Sequence, residues 1–301
     1  MTLATVDEEW IPTQVKVFTR WVQNQLKDIQ NIQVNDITKD LTNGVALVQL
    51  AKILTENDTP HAWISQPQRT VDMVQNLDMA VDMFTKDGVK LVGISGKDVN
   101  DNNEKLILGL IWSLILHYSI GRSVSNENMG KDNNLPNDKL SDKNSKNTLL
   151  SWAIDRTANY PNINNFKPYD LSMCALLDSY VPEKVNYYSL DPKDSEHNSQ
   201  LATKVMNELN IPVFIYPEDL NQDHDVDHKT LLTQLSTVKV VLDNVESSTI
   251  KENSEPKIEE PVETPVESQE STMVDNLKIQ LAEKVEKLTQ ITVKYKNSKM
   301  N

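Results

Sequence analysis

The chain has 301 residues, with 30 Lys+Arg against 44 Asp+Glu and a formal net charge of −14. That length accommodates two domains of roughly 100 residues each plus further segments. The acidic balance excludes a general basic surface, and with it nonspecific attraction to nucleic acid or to an anionic bilayer; a local basic patch stays compatible. Cys174 is the single cysteine, so no intramolecular disulfide can form. Residues 1–9 are acidic and lack the apolar stretch of a signal peptide, so the cytosol is the expected compartment. The longest apolar run, 106–116, is shorter than the ~20 residues of a membrane-spanning helix. A buried helix is expected there, and no membrane span.

In chain order, Val15, Phe18, Val22, Leu26 and Ile29 recur at steps of three and four, which predicts a first helix. Gly44 opens a second over 45–54. Val71, Val74, Leu77, Val81 and Phe84 mark a third, which Gly88 ends. A fourth, from about 102 to 120, is apolar on nearly every side; such a helix is buried all round or has a partner on its second face. Residues 123–145 are rich in Asn, Asp and Ser and cannot bury enough apolar surface to offset ordering entropy, so a flexible linker is expected. The block 146–245 repeats the order of parts. Trp152 stands where Trp21 stands in the first block, and helices are expected over 173–180, 195–209 and 227–241. The repeat predicts duplication of one all-helical domain, with blocks at 10–122 and 146–245. Residues 246–272 repeat Glu, Pro, Val and Ser and carry 8 acids against 2 bases, the composition of a disordered, self-repelling spacer. Over 273–299, Val274, Leu277, Leu281, Leu288, Ile291 and Tyr295 fit steps of three and four, with Lys284 interrupting the seam. This predicts an amphipathic helix, either a weak parallel coiled coil that makes a homodimer or a single helix docking elsewhere.

Several stretches carry a family resemblance. Val17-Phe18-Thr19-Arg20-Trp21-Val22, Asp40-Leu41-Thr42-Asn43-Gly44-Val45-Ala46-Leu47 and Lys90-Leu91-Val92-Gly93-Ile94-Ser95 resemble a calponin-homology domain. The run from Lys105 to Ile120 is similar to the filamin type above all. Trp152, Leu176-Leu177-Asp178-Ser179, Leu209-Asn210-Ile211-Pro212 and Pro217-Glu218-Asp219-Leu220 resemble the second domain of tandem members such as α-actinin and cortexillin. The chain departs from that pattern at Asp170, where a glycine is usual before the second helix, and at Asn102, where many members have glycine.

The resemblance implies an all-α protein of two tandem calponin-homology domains that binds F-actin, placed in the cytoplasm at the actin cytoskeleton or cell cortex. It implies that the first domain supplies most of the affinity. It also implies three actin-facing segments, here about 13–27, 104–116 and 146–158. On the first, Phe18, Trp21, Val22 and Leu26 are expected in the core. The remaining face shows Gln14, Lys16, Val17, Arg20, Gln23, Asn24 and Lys27, three cations with no acid before Asp28. A locally basic face suits an acidic filament. On the second, Glu104, Lys105 and Trp112 belong to the candidate set. There Ile107, Leu108, Ile111 and Ile115 either face actin or pack on the second block. On the third, Lys146 and Arg156 are the candidates. The two blocks are expected to form a two-state head, in which the second domain covers part of the first domain's surface when compact. Dimerisation through 273–299 would make a filament crosslinker; the competing expectation is a scaffold for microtubules or signalling partners.

Other signals carry less. Asp223-His224-Asp225-Val226-Asp227 resembles the start of a calcium loop, but His228 and Gln234 occupy the positions of its glycine and bidentate glutamate. An acidic helix start is the simpler expectation. His224 and His228 lack a third ligand. No phosphate-cradling glycine loop or nucleophile–base arrangement stands out, so neither catalysis, cofactor nor metal is expected.

Overall fold

The computed structural model describes residues 10–125, 142–223 and 225–254. The expected helix at 273–299, the spacer beyond Ser254, residues 126–141 of the polar stretch and His224 lie outside the described residues. The chain divides into two compact units, Met1–Glu252 and Asn253–Asn301, and nearly all described residues belong to the first. Among them, all regular structure is helical.

The first block is built on α1 (Trp10–Leu26), α2 (Ile37–Asp40), α3 (Val45–Thr55), α4 (Thr70–Lys86) and α5 (Gly96–Asn100). The long apolar helix follows as α6 (Glu104–Leu114), a π-helical stretch (Ile115–Ile120) and α7 (Gly121–Ser125). α3 starts where it does because Gly44 takes φ 77°, a left-handed conformation that costs glycine little. A Cβ there would fall 2.7 Å from the Cβ of Asn76. Asn76 in turn ties the preceding loop to α4, accepting from the Ile64 N–H and donating to its carbonyl. Asn102 has φ 59°, which asparagine tolerates better than most residues, and the capped start of α6 follows it, with Asn103 accepting from the Leu106 N–H. Trp21 is fully buried at the centre of the block, and its indole N–H donates to Ser119 Oγ at 2.9 Å, the partner a buried indole needs.

Glu104–Val124 is the one described helix long and apolar enough, by length and composition, to cross a membrane. The apolar run understated it, because His117, Tyr118 and Ser119 end the run without making the helix polar. More than half of this helix is buried inside the protein, and Ile107, Leu110, Ile111, Leu114 and Ile115 are fully so. It is the hydrophobic spine of the first block.

The second block comprises α8 (Asp142–Thr157), α9 (Tyr169–Asp178), α10 (Pro182–Val185), α11 (Ser195–Glu208) and α12 (His228–Ser254), with single 3-10 turns at Tyr187–Ser189 and Pro217–Asp219. α9 is buried along its whole length and packs against α11. It opens at Tyr169, with Pro168 in extended backbone as its cap, so Asp170 already sits in the first helical turn and no left-handed glycine is required there. α12 runs to Ser254, nine residues into the stretch expected to be extended spacer. The first proline of that stretch is Pro256, and the helix meets no breaker before it. α8 packs against both the π-helical stretch and α7, so the two blocks are in direct contact.

Candidate functional site

The face of α1 expected to be open is largely taken up by the second block. Val17 is fully buried and Gln14 nearly so, which corrects their placement on a solvated face. The helical periodicity is the expected one, but the neighbour covering that side comes from more than 190 residues downstream. Gln14 Nε2 donates to Asp227 Oδ1 at 2.7 Å. Arg20 Nη1 donates to the Phe214 carbonyl at 2.7 Å and pairs with Asp219 Oδ2, and its guanidinium lies 4.7 Å from the centre of the Tyr216 ring. Lys16 Nζ reaches Asp219 Oδ1 at 3.5 Å.

Asp219 therefore holds two of the three cations of this face with a side chain that is 0% exposed, while Arg20 and Lys16 are 24% and 52% exposed. It is fixed locally as well, accepting from the Tyr216 N–H at 3.0 Å in the capping box that closes the 3-10 turn. Removing Asp219 leaves Arg20 and Lys16 at the seam without this carboxylate, a loss tempered by the exposure of both cations to water. Asp227 shares two tasks: it caps α12 through the Lys229 and Thr230 N–H groups and receives Gln14 across the seam. The acidic helix start thus anchors a domain contact. Asp225, the other acid of that segment, pairs with Lys167. Among the described residues no three His, Cys, Asp or Glu side chains converge on a metal-sized site.

At the far end of α1, Gln23 and Lys27 are exposed and Asn24 half-buried, and Gln23 Nε2 donates to the Val34 carbonyl. On α6, Glu104 and Lys105 are exposed. Ile107, Leu108, Ile111 and Ile115 are buried, so in this arrangement they present nothing to an outside partner. Trp112 lies between these extremes: half-buried, it stacks on Phe18 at 6.4 Å, and Lys229 Nζ approaches its ring at 5.7 Å. The same ammonium stands 5.8 Å from the ring of Trp10. Such cation–π contacts contribute about 0.5–2 kcal/mol, more when desolvated.

On α8, Lys146 is half-buried and close enough to α12 that its charge, after burial, helps hold His228 below the usual imidazole range. Arg156 is a clamp within its own domain. It donates to Ser179, pairs with Glu246 at 3.3 Å and lies 4.0 Å over the Tyr180 ring. The structure thus gathers Gln14, Lys16, Arg20 and Trp112 at the seam, and leaves Gln23, Lys27, Glu104 and Lys105 on the surface. Sequence reasoning missed Asp219, Asp227 and Lys229. The Pro217-Glu218-Asp219 turn is legible as a cap, but a role across domains has no local signature.

The sequence profile of the calponin homology (CH) domain matches this chain twice, over residues 12–120 and 143–240. Interaptin of Dictyostelium discoideum is 32% identical over 235 residues, covering 76% of this chain and 13% of the relative. Filamin-A of Drosophila melanogaster is 33% identical over 235 residues, covering 76% of this chain and 10% of the relative. Alpha-actinin A of Dictyostelium discoideum is 28% identical, with 77% of this chain and 26% of the relative covered. The chain therefore spans about a quarter or less of these relatives' lengths. The solved structure of the actin-crosslinking core of Schizosaccharomyces pombe fimbrin superposes with a TM-score of 0.55 at 21% identity, covering 75% of this chain and 48% of that one, a likeness of fold. With both blocks matched and both folded as helical domains in contact, the chain belongs to the calponin homology domain family, as a tandem member of the filamin and α-actinin kind.

Proposed function

We propose that the chain binds actin filaments through its paired calponin-homology domains and works in the actin cytoskeleton of the cytoplasm. The observation that carries this reading is the tandem match itself: both domains together are 33% identical to a filamin across 76% of the chain. The seam adds a mechanism. Gln14, Lys16 and Arg20 belong to the expected filament face, and in the compact head they are engaged by Asp227 and Asp219. Filament binding through them requires the second domain to swing away, exchanging one buried carboxylate for the acidic surface of the polymer. Gln23, Lys27, Glu104 and Lys105 are exposed in the compact head and can meet the filament before it opens.

Crosslinking requires two heads. The amphipathic segment 273–299 supplies them by pairing two chains, raising apparent affinity through the tether. Co-sedimentation of the whole chain with actin filaments and, separately, with microtubules tests the first part. Saturable pelleting with actin alone is expected, and pelleting with microtubules alone overturns the reading. Sedimentation equilibrium at tens of micromolar tests the second, where a clean monomer removes crosslinking through this segment.

A further inference from the structure

A cleft of about 520 Å³ lies on the seam between the domains, and Asp219 is not in its lining. The first domain contributes Tyr118, Ser119 and Arg122 from the end of the spine helix; the second contributes Pro212, Val240 and Val241. Its volume is within the range of about 300–1,000 Å³ that small-molecule sites occupy. The walls act as apolar surface because their hydroxyls are already engaged. Tyr118 donates to Asp87, Ser119 accepts from Trp21, and Ser236 and Thr237, also in the lining, donate to α12 carbonyls. Val240 is left 40% exposed, one of the few large aliphatic side chains among the described residues that are exposed.

One charge stands in this lining. The Arg122 guanidinium lies over the Tyr118 ring at 5.4 Å. Its bond to the Leu54 carbonyl and its 4.0 Å contact with Glu56 both use Nη2, so the other two nitrogens take no part in them. The Glu56 side chain is 80% exposed and at the limit of pairing distance, a contact of little worth in water. We infer that this cleft binds a small apolar carboxylate, its hydrocarbon part against Val240, Val241 and Pro212 and its carboxylate on Arg122. A doubly charged phosphate fits less well, because one guanidinium in an otherwise uncharged lining matches a single negative charge.

Both walls are needed, so the site exists while the two domains are packed, and ligand binding in the absence of filaments does not rest on the filament reading. Calorimetric titration of the whole chain with decanoate, without actin, tests it separately from the function proposed above. One saturable site is expected. Val240→Trp, which fills the cleft from an exposed position, removes it. Arg122→Gln weakens it about threefold, the scale of an ion pair on a guanidinium whose side chain is 59% exposed, and decan-1-ol binds the unaltered chain about as weakly. Absence of saturable binding overturns the inference, as does unchanged affinity in either variant. If circular dichroism shows Val240→Trp misfolded, the Arg122→Gln comparison decides alone.

Discussion

Single residues here carry roles that their neighbours in sequence do not announce. Arg156 is expected among the actin-facing residues on the first helix of the second domain, and its partners in the structure are Tyr180 and Glu246, 24 and 90 residues away. Gln14 and Val17 read as an open helix face for the same reason: periodicity reveals which residues share a side, and the identity of what covers that side is a long-range fact. Residues whose role is conformational were legible, as Asn102 shows by taking the left-handed turn that its side chain tolerates. Cys174 also conforms to its sequence context. Burial, then the charge of Asp170, push its thiol up to about 12. An unfolded thiol ionises near pH 8.5, so as pH rises the unfolded state loses this proton first and stability falls from about pH 8.5 to 12. Burial moves Tyr187 in the same direction, also to about 12. The expected outcome is an alkaline fall in the urea midpoint above about pH 9. Alkylation of Cys174 at pH 8 should also be at least about a hundredfold slower in buffer than in denaturant.

At the scale of elements, the order and approximate limits of the main helices could be read from apolar spacing, because each buries a face whose residues recur at three and four. The ends were less legible. α12 continues past the last apolar repeat because no proline stops it before Pro256, and α9 begins before Asp170 because Pro168 caps it in extended backbone. The break between α6 and α7 is a π-helical stretch, and nothing in the apolar pattern marks a single wide turn. The junction of α3 and α4 offers a test of local design. Gly44→Ala introduces both a left-handed alanine, costing about 1–2 kcal/mol, and a Cβ 2.7 Å from that of Asn76. A loss of at least about 2 kcal/mol is expected, a fall in Tm of roughly 4–8 °C for a unit of this size. A Tm within one degree of the unaltered chain contradicts the close approach.

At the scale of the molecule, the acidic balance and the basic strip are reconciled by the seam: the cations Lys16 and Arg20 are matched inside the protein by Asp219. A ligand reaches such a face only in the fraction of molecules that are open, and its apparent affinity is reduced by that fraction. Asp219→Ala removes the carboxylate while leaving every residue of the first domain in place, so it should favour the open head. Arg20→Ala also releases the seam but deletes a cation from the filament face, so it should gain less affinity or none. Attraction between a basic face and an acidic polymer is screened by salt, and binding by either chain should weaken between low and physiological ionic strength. The most direct measurement is actin co-sedimentation of the Asp219→Ala chain beside the unaltered one at low salt. Saturable pelleting of both is predicted, with a Kd about tenfold lower for the variant, equivalent to about 1.4 kcal/mol of released seam energy. Equal Kd values, or no pelleting of either chain, would contradict it.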